Sequence, residues 1–165
     1  MMQAEYSTNS PPTSIVQAYK QAYERANQIS DPDNTIQAYA KVIDFCANTK
    51  SCRWNPNIKR NVLLYWAHNN IAKALKEKNQ PMEALKYWQK AIYLAGDNRQ
   101  KASVWEQMLE MWGDAPVSIT QRCEEIIKIS SRLAKIYMQE GQLHEVVRLE
   151  KLKENVSDLM KKAGD

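Results

Sequence analysis

The sequence has little of what a sheet protein or a membrane-spanning protein requires. Only 4 of its 165 residues are glycine, and alternating β-branched segments are few, which argues against a sheet. No run approaches the roughly 18 apolar residues of a transmembrane helix. With 44% hydrophobic and 25% charged residues, the chain has the composition of an ordinary globular domain, and we predict an all-α fold.

Residues that carry enzymatic chemistry are also scarce. The two histidines, His68 and His144, have no cysteine or carboxylate at the spacing of metal ligands. The sequence contains no glycine-rich phosphate loop and no Gly-x-Ser-x-Gly elbow. We therefore predict that the protein is not an enzyme and has no catalytic residue, metal site or cofactor.

The three cysteines do not decide whether the protein is cytoplasmic or exported. Cys46 and Cys52 flank the segment ANTKS, and a loop this short can bring their α-carbons close enough for a disulfide if the protein is exported. Free thiols in a cytoplasmic protein are the favoured alternative, because the count is odd and Cys123 has no evident partner. The first residues show no apolar signal stretch, although a removed signal peptide would leave the same sequence.

Helix-starting and helix-breaking residues predict the organisation of the chain. Residues 1–13 are polar and rich in proline, serine and threonine, so they are expected to form a disordered arm. A single helical domain is expected over 14–165. The predicted helices, each bounded by capping residues, proline or glycine, are 14–29, 33–48, 58–78, 81–95, 100–112, 118–140 and 142–162.

One segment resembles a known repeat. Residues 65–96, YWAHNNIAKALKEKNQPMEALKYWQKAIYLAG, place Ile71, Ala72 and Leu75 on one helical stripe, and a turn follows at Asn79-Gln80-Pro81. The second half has small, aromatic and small residues at Ala84, Trp88 and Ala91. This pattern resembles the tetratricopeptide repeat (TPR), a helical hairpin of about 34 residues. The resemblance implies antiparallel hairpins stacked as a short right-handed α-solenoid.

Two other segments resemble the same repeat less closely. They cover 14–45, beginning the pattern at Val16, and 132–152, where Leu133, Ala134, Tyr137 and Gly141 repeat the large, small, large and turn positions. The repeats begin 49 and 62 residues apart, against about 34 in a regular array. The extra residues form two insertions, at 47–56 and 97–117, which are candidate sites of specificity.

The resemblance also implies a function, because the first helix of each TPR hairpin lines a concave binding surface. Residues 57–96 carry seven basic residues against two acidic ones, so the predicted partner is a protein with an acidic or mixed peptide segment. We expect an adaptor-like or chaperone-like module. The predicted groove residues are Lys20, Trp66, Asn69, Asn70, Lys73, Lys76, Lys128, Arg132 and Lys135.

Two alternatives remain open from the sequence. The inserted segment SVWEQMLEMWGD folds as extra core, or it presents Trp105, Met108 and Trp112 as a second contact surface. The basic central repeat also allows nucleic-acid binding, which the lack of interleaved arginines and of any recognised motif disfavours. The sequence specifies neither the partner nor the oligomeric state.

Overall fold

The computed structural model describes residues 10–54 and 57–164, and these residues are helical without any strand. The predicted all-α fold is confirmed. The described residues form two compact units that divide at Gly96 and Asp97, within the stretch predicted as one domain. The helices are α1 (Ile15–Gln28), α2 (Pro32–Asn48), α3 (Lys50–Trp54), α4 (Ile58–Glu77), α5 (Pro81–Leu94), α6 (Asn98–Asp114), α7 (Ile119–Gln139) and α8 (Leu143–Gly164).

Side-chain caps set the beginnings of most helices. The side-chain oxygens of Ser14, Asn57, Asp97 and Ser118 each accept a hydrogen bond from the backbone N–H three residues later. Each bond satisfies one of the N–H groups that the first helical turn leaves unpaired. At α2 the capping oxygen comes from Asp31, and the helix then begins with proline, whose missing N–H costs nothing at that position.

In the first unit, α1 packs against α2 and α4 packs against α5, and α2 also lies against α4. Alanines are buried where these helices meet, with Ala72, Ala84 and Ala91 fully inaccessible to solvent. Small residues let two helix backbones approach closely, and the fully buried Trp88 fills the space beside them. The sequence pattern of residues 65–96 thus corresponds to the core of one hairpin.

In the second unit, α7 packs against α8 and α6 packs against α7. The first of these hairpins turns in the same way as the α4–α5 hairpin. Asn79 and Gly141, which are 62 residues apart, both have positive φ angles of 58° and 73°. In both turns the next residue donates its backbone N–H to the carbonyl five residues earlier, Gln80 to Leu75 and Gln142 to Tyr137. This is the Schellman ending of a helix, and it recurs at the spacing of the two sequence matches.

Helix α8 departs from the repeat pattern. Its buried residues are Leu149 and Val156, two turns apart, whereas Glu150, at the position equivalent to Trp88, is exposed. The helix therefore uses a different face for packing than α5 does. Leu143, Val147 and Leu159 remain exposed.

The second insertion, α6, forms core. Trp105, Met108 and Trp112 are each less than a tenth exposed, and the neighbouring Val104 and Met111 are buried with them. So little accessible area leaves no room for a partner on these side chains. This corrects the alternative in which they form a second contact surface.

The first insertion contains the short helix α3, which the sequence did not predict. The sulfur atoms of Cys46, near the end of α2, and Cys52 in α3 are bonded as a disulfide, with their α-carbons 4.9 Å apart. Cys123 is a buried free cysteine in α7. Most of the predicted arm, residues 1–9, lies outside the described residues, but the Ser10 carbonyl accepts a hydrogen bond of 2.8 Å from Gln21 of α1.

Candidate functional site

The predicted groove residues fall into both units. Lys20 lies on α1, and Trp66, Asn69, Asn70, Lys73 and Lys76 lie on α4, all within the first unit. Lys128, Arg132 and Lys135 lie on α7 in the second unit. Each unit therefore has its own candidate surface.

On α4, a basic and aromatic stripe faces solvent. Lys59, Trp66 and Lys73 are all exposed, Trp66 by 39%. They are spaced seven residues apart on one continuous helix, so each differs from the next by about 20° around its axis and Lys59 and Lys73 differ by about 40°. We call these three residues the α4 stripe. The two lysines are separated by about 21 Å along the helix, with the indole ring midway between them.

Tyrosines and an amide hold α1 beside the α4 stripe. The rings of Tyr19 on α1 and Tyr39 on α2 lie 5.6 Å apart, and both tyrosines interact with the side chain of Asn70 on α4. Burial raises the pKa of both tyrosines, so both are neutral near pH 7 and keep their hydroxyl protons. Asn70 therefore positions the helices, although it is only partly buried and lies one turn from Trp66 and from Lys73.

Lys20 adds an exposed amine on α1 of the first unit. It directly follows Tyr19 on α1 and is exposed, and α1 contacts α4. Lys76, one turn beyond Lys73, is partly buried. The first unit thus has exposed lysines on both α1 and α4, and a continuous basic groove stays a prediction.

Asn69 does not belong to this surface. It is only 3% exposed, and its side-chain oxygen accepts a hydrogen bond of 3.0 Å from the indole nitrogen of Trp88 on α5. The prediction of Asn69 as a groove residue is corrected on this ground. Its position on α4 is about 60° from Trp66, which is enough to place it under α5.

On α7, the equivalent positions are basic. Lys128, Arg132 and Lys135 lie 62 residues after Trp66, Asn70 and Lys73 and are all exposed. The Arg132 guanidinium stacks over the Trp105 ring at 4.9 Å, and Lys128 pairs with Glu125 of the preceding turn at 3.3 Å. These two cations already have partners within the second unit. Lys135 completes this second basic stripe.

His68 is a core residue with a fixed tautomer. It is 6% exposed, and its Nδ1 atom lies 2.8 Å from the Leu64 carbonyl oxygen. Because a carbonyl oxygen only accepts, Nδ1 carries the proton and donates it. Burial lowers the pKa of His68 below its ordinary value of 6.5, and the nearby Lys90 lowers it further.

Comparison with known proteins adds no family. No protein-family model matches the chain, and no curated protein matches it. The resemblance to TPR therefore depends on the residues themselves. Within residues 10–54 and 57–164, no group of three or more histidine, cysteine or acidic side chains is placed to hold a metal ion. None of the helices in this part of the chain combines the length and apolarity needed to cross a membrane.

Lys59 was missed by the sequence analysis, because the TPR pattern begins at Tyr65 and the groove positions were counted from there. The signal that identifies it is the seven-residue spacing from Lys59 to Trp66 to Lys73. The helix predicted over 58–78 already contains all three residues, so the spacing could be applied from the sequence alone.

Proposed function

We propose that the protein is a non-enzymatic, TPR-like interaction module whose first unit binds an acidic or mixed peptide segment of another protein along the α4 stripe. The observation that carries this proposal is the exposed indole of Trp66 between the exposed amines of Lys59 and Lys73. An exposed tryptophan flanked by cations suits a partner with an apolar side chain between two carboxylates.

The dimensions of the stripe suggest the form of the partner. An extended peptide covers about 21 Å in roughly six residues. Two acidic residues about six positions apart would therefore each face one lysine, and an apolar residue midway would contact Trp66. Lys20 on α1, the residue after Tyr19, adds a positive charge to the same unit.

The rigidity of the surface supports binding without large rearrangement. The rings of Tyr19 on α1 and Tyr39 on α2 lie 5.6 Å apart, both tyrosines interact with Asn70 on α4, and α4 is also packed against α5. A surface formed before binding loses little conformational entropy when the partner arrives.

A synthetic peptide tests the proposal directly. The probe is a fluorescent, otherwise Gly/Ser peptide with two Glu residues six positions apart and a Leu midway, and its control has Gln in place of Glu. We expect anisotropy titrations with the full chain to show binding of the Glu peptide alone, weakening as salt rises because exposed charges are screened over about 10 Å at 0.1 M.

Variants then locate the binding surface. Lys59→Glu combined with Lys73→Glu should abolish peptide binding, and Trp66→Ala should weaken it by about tenfold or more. Lys41→Glu on α2 and Tyr93→Ala on α5, both of which change exposed residues, are the matched controls and should leave binding unchanged. Unchanged affinity in the double charge reversal would exclude the α4 stripe. A single-stranded oligonucleotide that binds the same surface more tightly than the peptide would instead favour nucleic-acid recognition.

A further inference from the structure

The corner between α3 and α4 exposes two large apolar side chains that the peptide surface does not use. Trp54, the last residue of α3, is 65% exposed, and Ile58, the first residue of α4, is 84% exposed. Their α-carbons are at most about 14 Å apart, because four residues of chain span no more than that.

Described contacts hold this corner in place from both sides. The disulfide between Cys46 and Cys52 joins α3 to α2. The Arg60 guanidinium, in the first turn of α4, donates hydrogen bonds to the backbone carbonyls of Cys52 at 2.9 Å and Arg53 at 3.2 Å. These contacts hold α3, which ends at Trp54, and the first turn of α4, which begins at Ile58.

The charge around the corner is of one sign. Residues 45–76 contain no aspartate or glutamate. Lys50, Arg53 and Lys59 are exposed there, and the Arg53 guanidinium lies over the Trp54 ring at 4.5 Å. Exposed apolar side chains with cations close by in the sequence suit an anionic membrane surface. Acidic lipid headgroups attract the cations, and the interfacial layer accepts tryptophan and isoleucine.

We propose that this corner is a contact site for the surface of anionic phospholipid bilayers. Trp54 and Ile58 enter the headgroup layer, and Lys50 and Arg53 face the acidic lipids. The protein lies on the membrane without spanning it, which agrees with the absence of a membrane-spanning helix among the described residues. Either signal alone gives weak, reversible binding, whereas the two together give stable attachment.

Sedimentation with lipid vesicles tests the proposal on the full chain. We expect binding to vesicles in which a third of the lipid is phosphatidylglycerol and little binding to vesicles of phosphatidylcholine alone. Trp54→Ala combined with Ile58→Asn should lower the partition coefficient by about tenfold or more. Lys50→Glu combined with Arg53→Glu should lower it by a similar factor. Tyr93→Ala and Lys41→Glu serve as the apolar and charge controls and should bind as the unmodified chain does.

A spectroscopic measurement identifies the inserted residue and does not depend on affinity. Brominated lipids quench tryptophans that enter the bilayer, so quenching should persist in Trp66→Phe and disappear in Trp54→Phe. Equal binding by the apolar double variant, or quenching that persists without Trp54, would overturn the proposal. So would loss of binding in the charge variant alone, accompanied by equal affinity for an oligonucleotide, because a polyanion without an apolar layer would then be the ligand.

The experiments test the lipid proposal and the peptide proposal independently. The corner variants leave Trp66 and Lys73 intact and should still bind the acidic peptide, and Trp66→Ala should still bind anionic vesicles.

Discussion

The indole nitrogen of Trp88 donates a hydrogen bond of 3.0 Å to the side-chain oxygen of Asn69, and both residues are buried between α4 and α5. Trp88 is fully inaccessible to solvent. A buried indole N–H without an acceptor is costly, because it loses its hydrogen bonds with water and gains nothing in return. The Asn69 amide therefore makes the large apolar ring compatible with this position.

Removing the acceptor should destabilise the first unit. We expect Asn69→Ala to lower the free energy of unfolding by about 1–3 kcal/mol, because it leaves the Trp88 N–H unpaired in the core. Urea titration followed by circular dichroism measures the change. Gln89 follows Trp88 directly in the sequence and is exposed. Gln89→Ala should therefore alter the free energy of unfolding by less than about 0.5 kcal/mol. Equal stability in the two variants would mean that the hydrogen bond contributes nothing.

The burial of Asn69 could not be predicted from the sequence. Helical phase placed Trp66, Asn69 and Asn70 on one broad side of α4, and this side does contain all three. Which of these residues stay exposed depends on how much of α4 is covered by α5, and this is decided by the packing of the two helices. The amide of Asn69 ends beneath α5, and the indole of Trp66 stays in solvent. The spacing within one helix cannot distinguish these two outcomes.

Helix boundaries were predictable to the extent that local chemistry sets them. Ser14, Asn57 and Ser118, residue types that favour the start of a helix, each accept a hydrogen bond from a backbone N–H of the first turn. Helix α6 extends through Gly113 to Asp114, beyond the predicted end at residue 112. The Arg122 guanidinium of α7 donates to the Gly113 carbonyl at 3.0 Å, and this tertiary contact supports a last turn that the glycine alone would weaken.

Helix α3 was not predicted because five residues are too few to show a periodic pattern. Its position depends on contacts from outside itself, namely the bond between Cys46 and Cys52 and the hydrogen bonds from Arg60. The sequence analysis held the disulfide and the free thiols open as alternatives. A choice between them had to wait for the α-carbon separation of 4.9 Å, which lies within the range of natural disulfides.

The disulfide yields a second prediction. Protein prepared under oxidising conditions and then denatured should show one reactive thiol, that of Cys123, and Cys123→Ala should show none. Replacing Cys46 and Cys52 together with alanine should lower the free energy of unfolding by about 2 kcal/mol, because the bond restricts a short loop of the unfolded chain. Thiol titration and urea unfolding measure the two quantities. Three thiols in the oxidised, denatured protein would exclude the bond in solution.

The third prediction follows from the burial of His68. Its Nδ1–H donates to the Leu64 carbonyl, and burial lowers its pKa in the folded protein below the ordinary 6.5. The unfolded chain therefore binds a proton at His68 more readily than the folded chain does. In that case the stability that neutral His68 contributes is present above pH 6.5 and is lost as the pH falls toward the lower folded pKa.

We accordingly expect the free energy of unfolding to decrease as the pH is lowered from 7 through 6.5 and below, and His68→Gln should flatten this part of the curve. His144 is the matched control, since it is the other histidine and its side chain is 80% exposed. His144→Gln makes the same substitution at an exposed position and controls for the substitution itself. Urea titrations at several pH values measure the slope for the three proteins. If His68→Gln keeps the full slope, carboxylates elsewhere and not this histidine are the source of the acid sensitivity.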